Sequence, residues 1–247
     1  MLTVSWWRQR LYPQPAAHDP LTKFLAQMEQ EIGPDKTVLD IGAGAGELNA
    51  YNYRGRVKRV VGVDLDPRVT ENPLLDKGVV GSAYELPFAD ASFDLAFCIY
   101  VLEHIDDAQR FVQEVGRVLK PGGVFLCLTP NKFHYVPMIA SLTPHSFHEW
   151  YNRWRGRADE DTFPTCYRLN SRRDMRRHFT AAGFDRCDMQ MVEAPPNYLM
   201  FSVPTFLAGA AYERVVGGSH LLQDLRVNII GRFQKAQSGV GAVRKAA

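Results

Sequence analysis

The sequence predicts an α/β fold in which a doubly wound, mostly parallel sheet carries helices on both faces. Three observations support this prediction. A short apolar strand at 38–41 leads into a glycine-rich turn, a second apolar strand at 59–64 ends in an aspartate, and further strand-like runs alternate with helical patterns as far as residue 131. In such sheets, ligands bind outside the carboxyl ends of the strands, so we expect the site there.

The first strand and its turn read VLDIGAGAGE at 38–47. Gly42, Gly44 and Gly46 allow a sharp backbone turn and the close approach of a ligand. Asp40 is a polar residue in an otherwise apolar strand, which indicates a partner near the ligand. We expect a helix to begin at about Glu47 and to direct its N-terminal amides into the crevice.

The glycine spacing differs from the G-x-G-x-x-G spacing of dinucleotide-binding folds. A glutamate at position 47 would repel a pyrophosphate, whereas it suits a ligand with a positive amino or sulfonium group. The second strand, RVVGVD at 59–64, places Asp64 18 residues after Gly46. An acidic residue at the end of this strand can accept hydrogen bonds from both ribose hydroxyls. Together the two motifs indicate a nucleoside-bearing cofactor.

Four stretches in order carry a family resemblance: VLDIGAGAGE, GVDLDP, GSAYELPFADASFDLAFCIYVLEHI and EVGRVLKPGGVFLCLTPN. The chain resembles class I S-adenosylmethionine-dependent methyltransferases, and most closely the ubiquinone-biosynthesis-like group. The resemblance covers residues 36–131. It implies a seven-stranded Rossmann-like sheet, in which 227–233 resembles the final strand that inserts antiparallel, and S-adenosylmethionine as the cofactor. The expected cofactor-binding residues are Asp40, Gly42, Gly44, Gly46, Asp64, Leu65, Ala83, Tyr84, Cys98 and Tyr100.

The predicted organisation has an N-terminal arm and helix at 1–35 and a methyltransferase domain at 36–247. Residues 1–20 read as an irregular arm, and the apolar period of 20–32 predicts a helix. Residues 131–170 are too long for an ordinary connection after the fifth strand. We expect this insertion and 195–222 to form a lid over the substrate.

The lid supplies the candidates for a catalytic base. Aromatic and histidine side chains in 131–170 suit a wall over the cofactor's methyl group. A hydroxyl nucleophile could lose its proton to one of four side chains: His134, Tyr135, His145 or His148. Two histidines without a third ligand nearby do not make a metal site, so no metal is predicted.

Composition restricts the other partners. The net charge of the 247-residue chain is +2, which argues against nucleic acid as the substrate. The four cysteines are scattered, and Cys98 and Cys127 lie in apolar runs, as expected for buried thiols in a reducing cytoplasm. The apolar run at 198–211 is too short to span a bilayer. A core helix or pocket lid is the favoured interpretation of this run, with a peripheral contact at the inner face of the membrane or a tunnel for an apolar substrate as the alternatives.

These observations predict an enzyme that moves a methyl group from S-adenosylmethionine to an oxygen or carbon of a small or lipid-like molecule. Three alternatives remain open. A nicotinamide-dependent oxidoreductase would need the longer glycine spacing, an RNA methyltransferase would need a basic groove, and a non-catalytic protein would bind the cofactor without transferring anything.

Overall fold

The computed structural model describes residues 3–46, 49–142 and 164–237, and its centre is a seven-stranded sheet. The strand order is β3-β2-β1-β4-β5-β7-β6, which confirms the predicted seven-stranded, mostly parallel sheet. The strands are β1 (Thr37–Ile41), β2 (Arg59–Asp64), β3 (Lys77–Val80), β4 (Phe93–Ile99), β5 (Leu119–Pro130), β6 (Phe184–Val192) and β7 (Asn228–Lys235).

The pairing of the strands decides which loops share an edge of the sheet. Strands β1 to β5 pair in parallel, whereas β7 pairs antiparallel with both β5 and β6. Because two antiparallel steps restore the original direction, β6 runs parallel to β5. The carboxyl ends of β1, β2, β4, β5 and β6 therefore lie at one edge, where the site is expected.

Helices cover both faces of the sheet. They are α1 (Val4–Leu11), α2 (Pro20–Glu31), α3 (Ala108–Val118), α4 (Tyr135–Leu142), α5 (Arg172–Ala181) and α6 (Val203–Gly218). Phe111 of α3 and Phe179 of α5 are buried on one face, together with Leu39 and Ile41 of β1. The neighbouring Val38 packs on the other face with Phe24 and Met28 of α2. Successive residues of β1 therefore fill two different cores, as the alternation of a strand requires.

The prediction of a regular helix that begins at about Glu47 is wrong. The first described element after Gly46 is a single 3₁₀ turn at Asn49–Tyr51, and no regular helix follows in the described residues before β2. The sequence from 49 to 58 has no apolar helical period and contains Gly55, which has a φ of +75°. Among the described residues between Gly46 and β2, no regular helix directs its amides into the crevice.

The prediction that residues 1–20 form an irregular arm is also wrong, because residues 4–11 form α1. Thr3 caps this helix by accepting a hydrogen bond from the Trp6 amide at 3.2 Å. Tyr12 then packs edge-to-face on Phe206 of α6, with ring centroids 6.3 Å apart. Trp7 joins the same small apolar cluster, which is separate from the two main cores. The arm is ordered by contacts with a helix about 200 residues away in the chain.

The two predicted lid segments contain helical structure. In the first, 131–170, α4 occupies 135–142, while 143–163 fall outside the described residues. The second, 195–222, contains α6, which Ser202 caps and in which Pro204 occupies the first turn. Within the described ranges, none of the helices has both the length and the apolar character needed to cross a bilayer.

Candidate active site

The glycine turn after β1 forms one wall of the site. Gly42, Gly44 and Gly46 have φ values of +81°, +50° and +77°, in the left-handed region that glycine adopts without strain. The Gly42 amide donates to the Val63 carbonyl at 2.8 Å, which attaches the turn to the end of β2. A Cβ built on Gly44 meets no atom within 4 Å. This turn therefore has open space beside its backbone, as a ligand cradle requires.

Asp64 lies directly against the glycine turn, as the sequence predicts. Its Oδ2 accepts a hydrogen bond of 2.8 Å from the Gly44 amide, and its Oδ1 accepts one of 2.9 Å from the Asp66 amide. Each carboxylate oxygen can accept a second hydrogen bond. The carboxylate is thus held in a fixed orientation and can still bind a pair of hydroxyls.

Asn72 was missed by sequence reasoning, although it organises the same turn. Its Nδ2 donates to the carbonyls of Ala43 at 2.9 Å and Gly44 at 3.1 Å, while its Oδ1 accepts from the Leu74 amide at 2.9 Å. Asn72 is only 6% exposed. No local pattern marks its role in the turn, because the two carbonyls to which it donates lie 28 and 29 residues earlier in the chain.

Asp40 is buried beside this turn. Its carboxyl is 7% exposed, and burial, with a smaller contribution from the nearby Asp64, raises its pKa to about 8. With these surroundings the carboxyl is largely protonated at neutral pH. A positively charged group placed next to it would favour the ionised form.

The residues expected around the adenine lie after β2 and β3. Leu65 follows Asp64 directly, and its side chain is 63% exposed. Ala83 and Tyr84 are partly buried. The Tyr84 hydroxyl donates to Asp106 Oδ1 at 2.6 Å, which ties the loop after β3 to the loop before α3. Their contacts with adenine stay a prediction.

Cys98 and Tyr100, both expected at the cofactor, differ in position. Cys98 is completely buried within β4, so the structure does not place it at the crevice. Tyr100 follows the end of β4 with a φ of +57°, is 43% exposed, and donates its amide to the Leu128 carbonyl at 2.8 Å. A positive φ is uncommon for a bulky residue and marks sites where the backbone is held for a purpose.

A cavity of about 590 Å³, which we call the acceptor cavity, opens next to Tyr100. It lies at the carboxyl ends of β4, β5 and β6. Tyr100, His134 and Tyr135 are the predicted site residues that line it. Residues from α2, α4 and α6 complete the wall, so the N-terminal segment and both predicted lid segments reach this one cavity.

The environment of His134 restricts its chemistry. It is 2% exposed, and burial lowers its pKa to about 4. Its Nδ1 accepts a hydrogen bond of 3.3 Å from the Val136 amide, so the proton of the neutral ring is on Nε2. The ring packs against Tyr135 and Tyr212, with centroids 4.1 and 5.7 Å away. His145 and His148 lie outside the described residues.

Two buried carboxylates in the acceptor cavity were missed by sequence reasoning. Glu103 accepts a hydrogen bond of 3.1 Å from the Thr129 hydroxyl, which in turn accepts one of 2.7 Å from Asn170 Nδ2. Burial raises the pKa of Glu103. Glu193 follows β6 directly, is 9% exposed, and burial raises its pKa to about 7. A carboxylate with a pKa near neutrality is a candidate functional group.

Comparison with known proteins agrees with this geometry. Residues 39–127 match the family described as "Methyltransferase domain". Over 177 residues the chain is 33% identical to the uncharacterized methyltransferase YcgJ of Bacillus subtilis, covering 68% of this chain and 64% of that protein. It is also 33% identical over 127 residues to the ubiquinone/menaquinone biosynthesis C-methyltransferase UbiE of Vibrio vulnificus, covering 47% and 49% of the two chains. The matches thus span about half to two thirds of these curated relatives.

Solved structures share the fold. The crystal structure of YcgJ from Bacillus subtilis superposes with a TM-score of 0.53 at 21% identity, over 87% of this chain and 99% of that chain. A putative methyltransferase of Haloferax volcanii, solved with the Trm112 methyltransferase activator, gives a TM-score of 0.59 at 20% identity, over 96% and 97%.

The fold, the glycine turn with Asp64 and the matched residues define a class I S-adenosylmethionine-dependent methyltransferase domain. Within that class the chain is similar to the ubiquinone/menaquinone biosynthesis C-methyltransferases over about half of its length, and S-adenosylmethionine is the cofactor of such a domain.

The residues present fit this cofactor. The open space at Gly44 admits a ligand backbone, and Asp64 can accept hydrogen bonds from ribose hydroxyls. The acidic Asp40 suits a ligand that carries positive charge. In the part of the chain that the structure describes, no group of three His, Cys, Asp or Glu side chains could hold a metal ion.

Proposed function

We propose that this protein transfers the methyl group of S-adenosylmethionine to an oxygen or carbon of a small or lipid-like acceptor. The observation that carries the proposal is the position of the acceptor cavity. It shares Tyr100 with the predicted cofactor site and lies at the same edge of the sheet as Gly44 and Asp64. A cofactor crevice and a second, adjoining cavity are what a two-substrate transfer needs.

The bound cofactor supplies a methyl group on a positively charged sulfur, which is already an activated leaving group. The protein's task is therefore mainly orientation, which can contribute roughly 7–11 kcal/mol toward lowering the barrier of such a reaction. Gly44 and Asp64 fix the nucleoside end. Tyr100, on a backbone attached to β5 through Leu128, forms the wall between the two sites.

We also propose that α1, α2 and α6 act with α4 as a cover over the acceptor. Tyr12, after α1, donates its hydroxyl to Glu213 of α6 at 2.9 Å, and Glu213 lines the acceptor cavity. Asp19 and Pro20, at the start of α2, line the same cavity. The division into 1–35 and 36–247 thus separates two parts that contribute to one site.

The roles of the four candidate bases stay proposals. Tyr135 lines the cavity and packs edge-to-face on Tyr212 at 5.1 Å, so it can position an acceptor ring. His134 is neutral and presents an Nε2–H donor, which suits binding better than proton abstraction. His145 and His148 remain sequence predictions.

The cofactor is tested by calorimetric titration with S-adenosylhomocysteine and, separately, NADH. We expect only the first to bind, and we expect Asp64→Ala to weaken its binding about tenfold or more, since a partly buried carboxylate that can accept from two hydroxyls is lost. Asp35→Ala is the matched control, because that side chain is 77% exposed and lies outside the site. Failure of S-adenosylhomocysteine to bind the wild type, or a preference for NADH, would contradict the proposal.

A peripheral membrane contact is proposed as a route to lipid-like acceptors. Trp6 of α1 is 44% exposed and Leu221, just after α6, is 95% exposed, while Arg8 and Arg10 occupy the last turn of α1. Sedimentation with anionic phosphatidylglycerol vesicles tests this proposal. We expect binding that Trp6→Ala reduces, and no binding to any vesicle would contradict it.

A further inference from the structure

Glu193 lies at the edge of the sheet where the cofactor binds, although it belongs to the last part of the fold. It follows β6, which runs parallel to β5 across β7, and it lines the acceptor cavity. Its Oε1 accepts a hydrogen bond of 3.1 Å from the Ala194 amide. Its Oε2 is buried and lacks a hydrogen bond of good geometry among the described residues, and the only backbone amide near the carboxylate there besides that of Ala194 is that of Val227, which lowers the pKa of Glu193 less than burial raises it.

The other carboxylates that line this cavity have structural partners. Glu103 is bound by the Thr129 hydroxyl and Glu213 by the Tyr12 hydroxyl. Asp19 caps α2 by accepting from the Thr22 amide at 2.9 Å. An unpaired buried carboxylate oxygen is costly, because it has lost its hydration without replacement. A hydrogen-bond donor on a bound molecule would remove that cost at Glu193.

The charges around the acceptor cavity restrict what this molecule can be. Four acidic side chains line the cavity, and among the described lining residues there is no lysine or arginine. Arg226 is close enough to influence Glu193, but its guanidinium donates to the Met191 carbonyl at 3.1 Å and the Gly217 carbonyl at 2.9 Å. An anionic group at this end of an acceptor would therefore meet no lysine or arginine partner among the described lining residues.

We propose that Glu193 selects the methyl acceptor by accepting a hydrogen bond from an O–H or N–H group of that molecule. This inference rests on the methyl transfer proposed above. The acceptor is then a neutral alcohol or phenol, or an amine, and carries no acidic group at the end that enters the cavity. Rotation about the terminal torsion of glutamate is soft, so either carboxylate oxygen can face the cavity. The tyrosines and His134 around the cavity supply flat apolar surface for the rest of the molecule.

The inference is tested by binding of four matched probes to the full-length protein saturated with S-adenosylhomocysteine. The probes are 2-phenylethanol, phenethylamine, ethylbenzene and 3-phenylpropionate, which differ mainly in the polar group. Ligand-observed NMR measures their dissociation constants. We expect the alcohol or the amine to bind at least about tenfold more tightly than ethylbenzene, as for a hydrogen bond to a buried charged group. We expect 3-phenylpropionate to be the weakest.

Three variants assign the effect to Glu193. Glu193→Leu should abolish the preference for the donor-bearing probes. Glu193→Gln keeps an acceptor oxygen without the charge. It should still bind 2-phenylethanol more tightly than ethylbenzene, but it should no longer bind phenethylamine more tightly. This variant therefore distinguishes a hydroxyl donor from an amine donor. Glu213→Gln removes the same charge from a partnered carboxylate in the same cavity and should change the probe affinities much less.

The outcomes separate this inference from the proposed function. Binding of S-adenosylhomocysteine to every variant shows that it is folded and that the cofactor site is intact. Three results would overturn the inference while leaving the cofactor site established: no binding of either donor-bearing probe, binding of 3-phenylpropionate as tight as theirs, or Glu193→Leu affinities equal to those of the wild type. Failure of S-adenosylhomocysteine to bind the wild type counts against the proposed function instead.

Discussion

Gly46 packs directly against the side chain of Asn72, so closely that a Cβ on Gly46 would clash with Asn72 Oδ1. Asn72 in turn holds the glycine turn through its bonds to the carbonyls of Ala43 and Gly44. The third glycine of the motif is therefore required by a side chain of the protein. Gly44, by contrast, has open space where its Cβ would be.

This contact predicts non-additive substitutions. Gly46→Ala introduces both a clash and a strained φ, and Asn72→Ala leaves two carbonyls without their side-chain donor, at a cost of about 1–3 kcal/mol. The double variant has no clash, so its loss of stability should be smaller than the sum of the two single losses. Thermal unfolding measures this, at about 2–4 °C for each kcal/mol in a domain of this size. Additive losses would contradict the contact.

The raised pKa of Asp40 predicts a pH-dependent stability. Its value of about 8 in the folded state lies above the ordinary 3.8, so the folded protein holds this proton more tightly than the unfolded chain. The stabilisation is fully present below the unfolded value and is lost as the pH rises through about 8. We expect Asp40→Asn to raise the unfolding temperature of the ligand-free protein at pH 8.5. An unchanged or lower temperature would contradict the raised pKa.

The same group predicts proton release on cofactor binding. A positive group next to Asp40 favours the carboxylate, so binding of S-adenosylhomocysteine at pH 7 should release up to about one proton. Calorimetry in buffers with different ionisation enthalpies counts the protons. Asp40→Asn is the control and should release fewer. Equal proton release by the two proteins would show that Asp40 is not the group involved.

His134 should stay neutral across the range in which a typical base would titrate. Burial lowers its pKa to about 4, so between pH 5 and pH 8 its ring should remain uncharged with the proton on Nε2. Nitrogen-15 NMR of the imidazole reports the protonation state and the tautomer. A transition near pH 7, or a proton on Nδ1, would restore His134 as a candidate base.

The hydroxyl of Tyr12 should attach α1 to the rest of the molecule. Its bond to Glu213 is partly buried, although Tyr12 as a whole is only 3% exposed, so Tyr12→Phe should cost about 1.5–3 kcal/mol, as for a hydrogen bond to a charged group. Hydrogen exchange of the α1 amides should become faster, while β4 is unaffected. Trp6→Phe, at a half-exposed position of α1, is the control and should change little. Unchanged exchange in Tyr12→Phe would show that apolar packing alone holds α1.

Much of the site could be predicted because its signals are local. The apolar run of β1 leads into the glycine turn and that of β2 ends in Asp64, so these runs specify both the strands and the position of Asp64 relative to Gly44. Parallel strands bring their carboxyl ends to one edge, so two motifs about 20 residues apart in sequence were predicted to meet, and the Asp64–Gly44 hydrogen bond confirms it. The Ser171 cap and the left-handed Gly183, which lie at the two ends of α5, are local signals of the same kind.

The amino-acid sequence by itself thus determined the sheet, the glycine turn and the class of cofactor, since each depends on residue types at short spacing. The tertiary structure alone decided that 4–11 form a helix, that no regular helix appears between Gly46 and β2 in the described residues, and that Asn72 and Glu193 face the site. The physical reason is the same in each case. A hydrogen bond or a buried contact between segments tens to hundreds of residues apart leaves no periodic signal in either segment, so its effect is visible only when both are brought together.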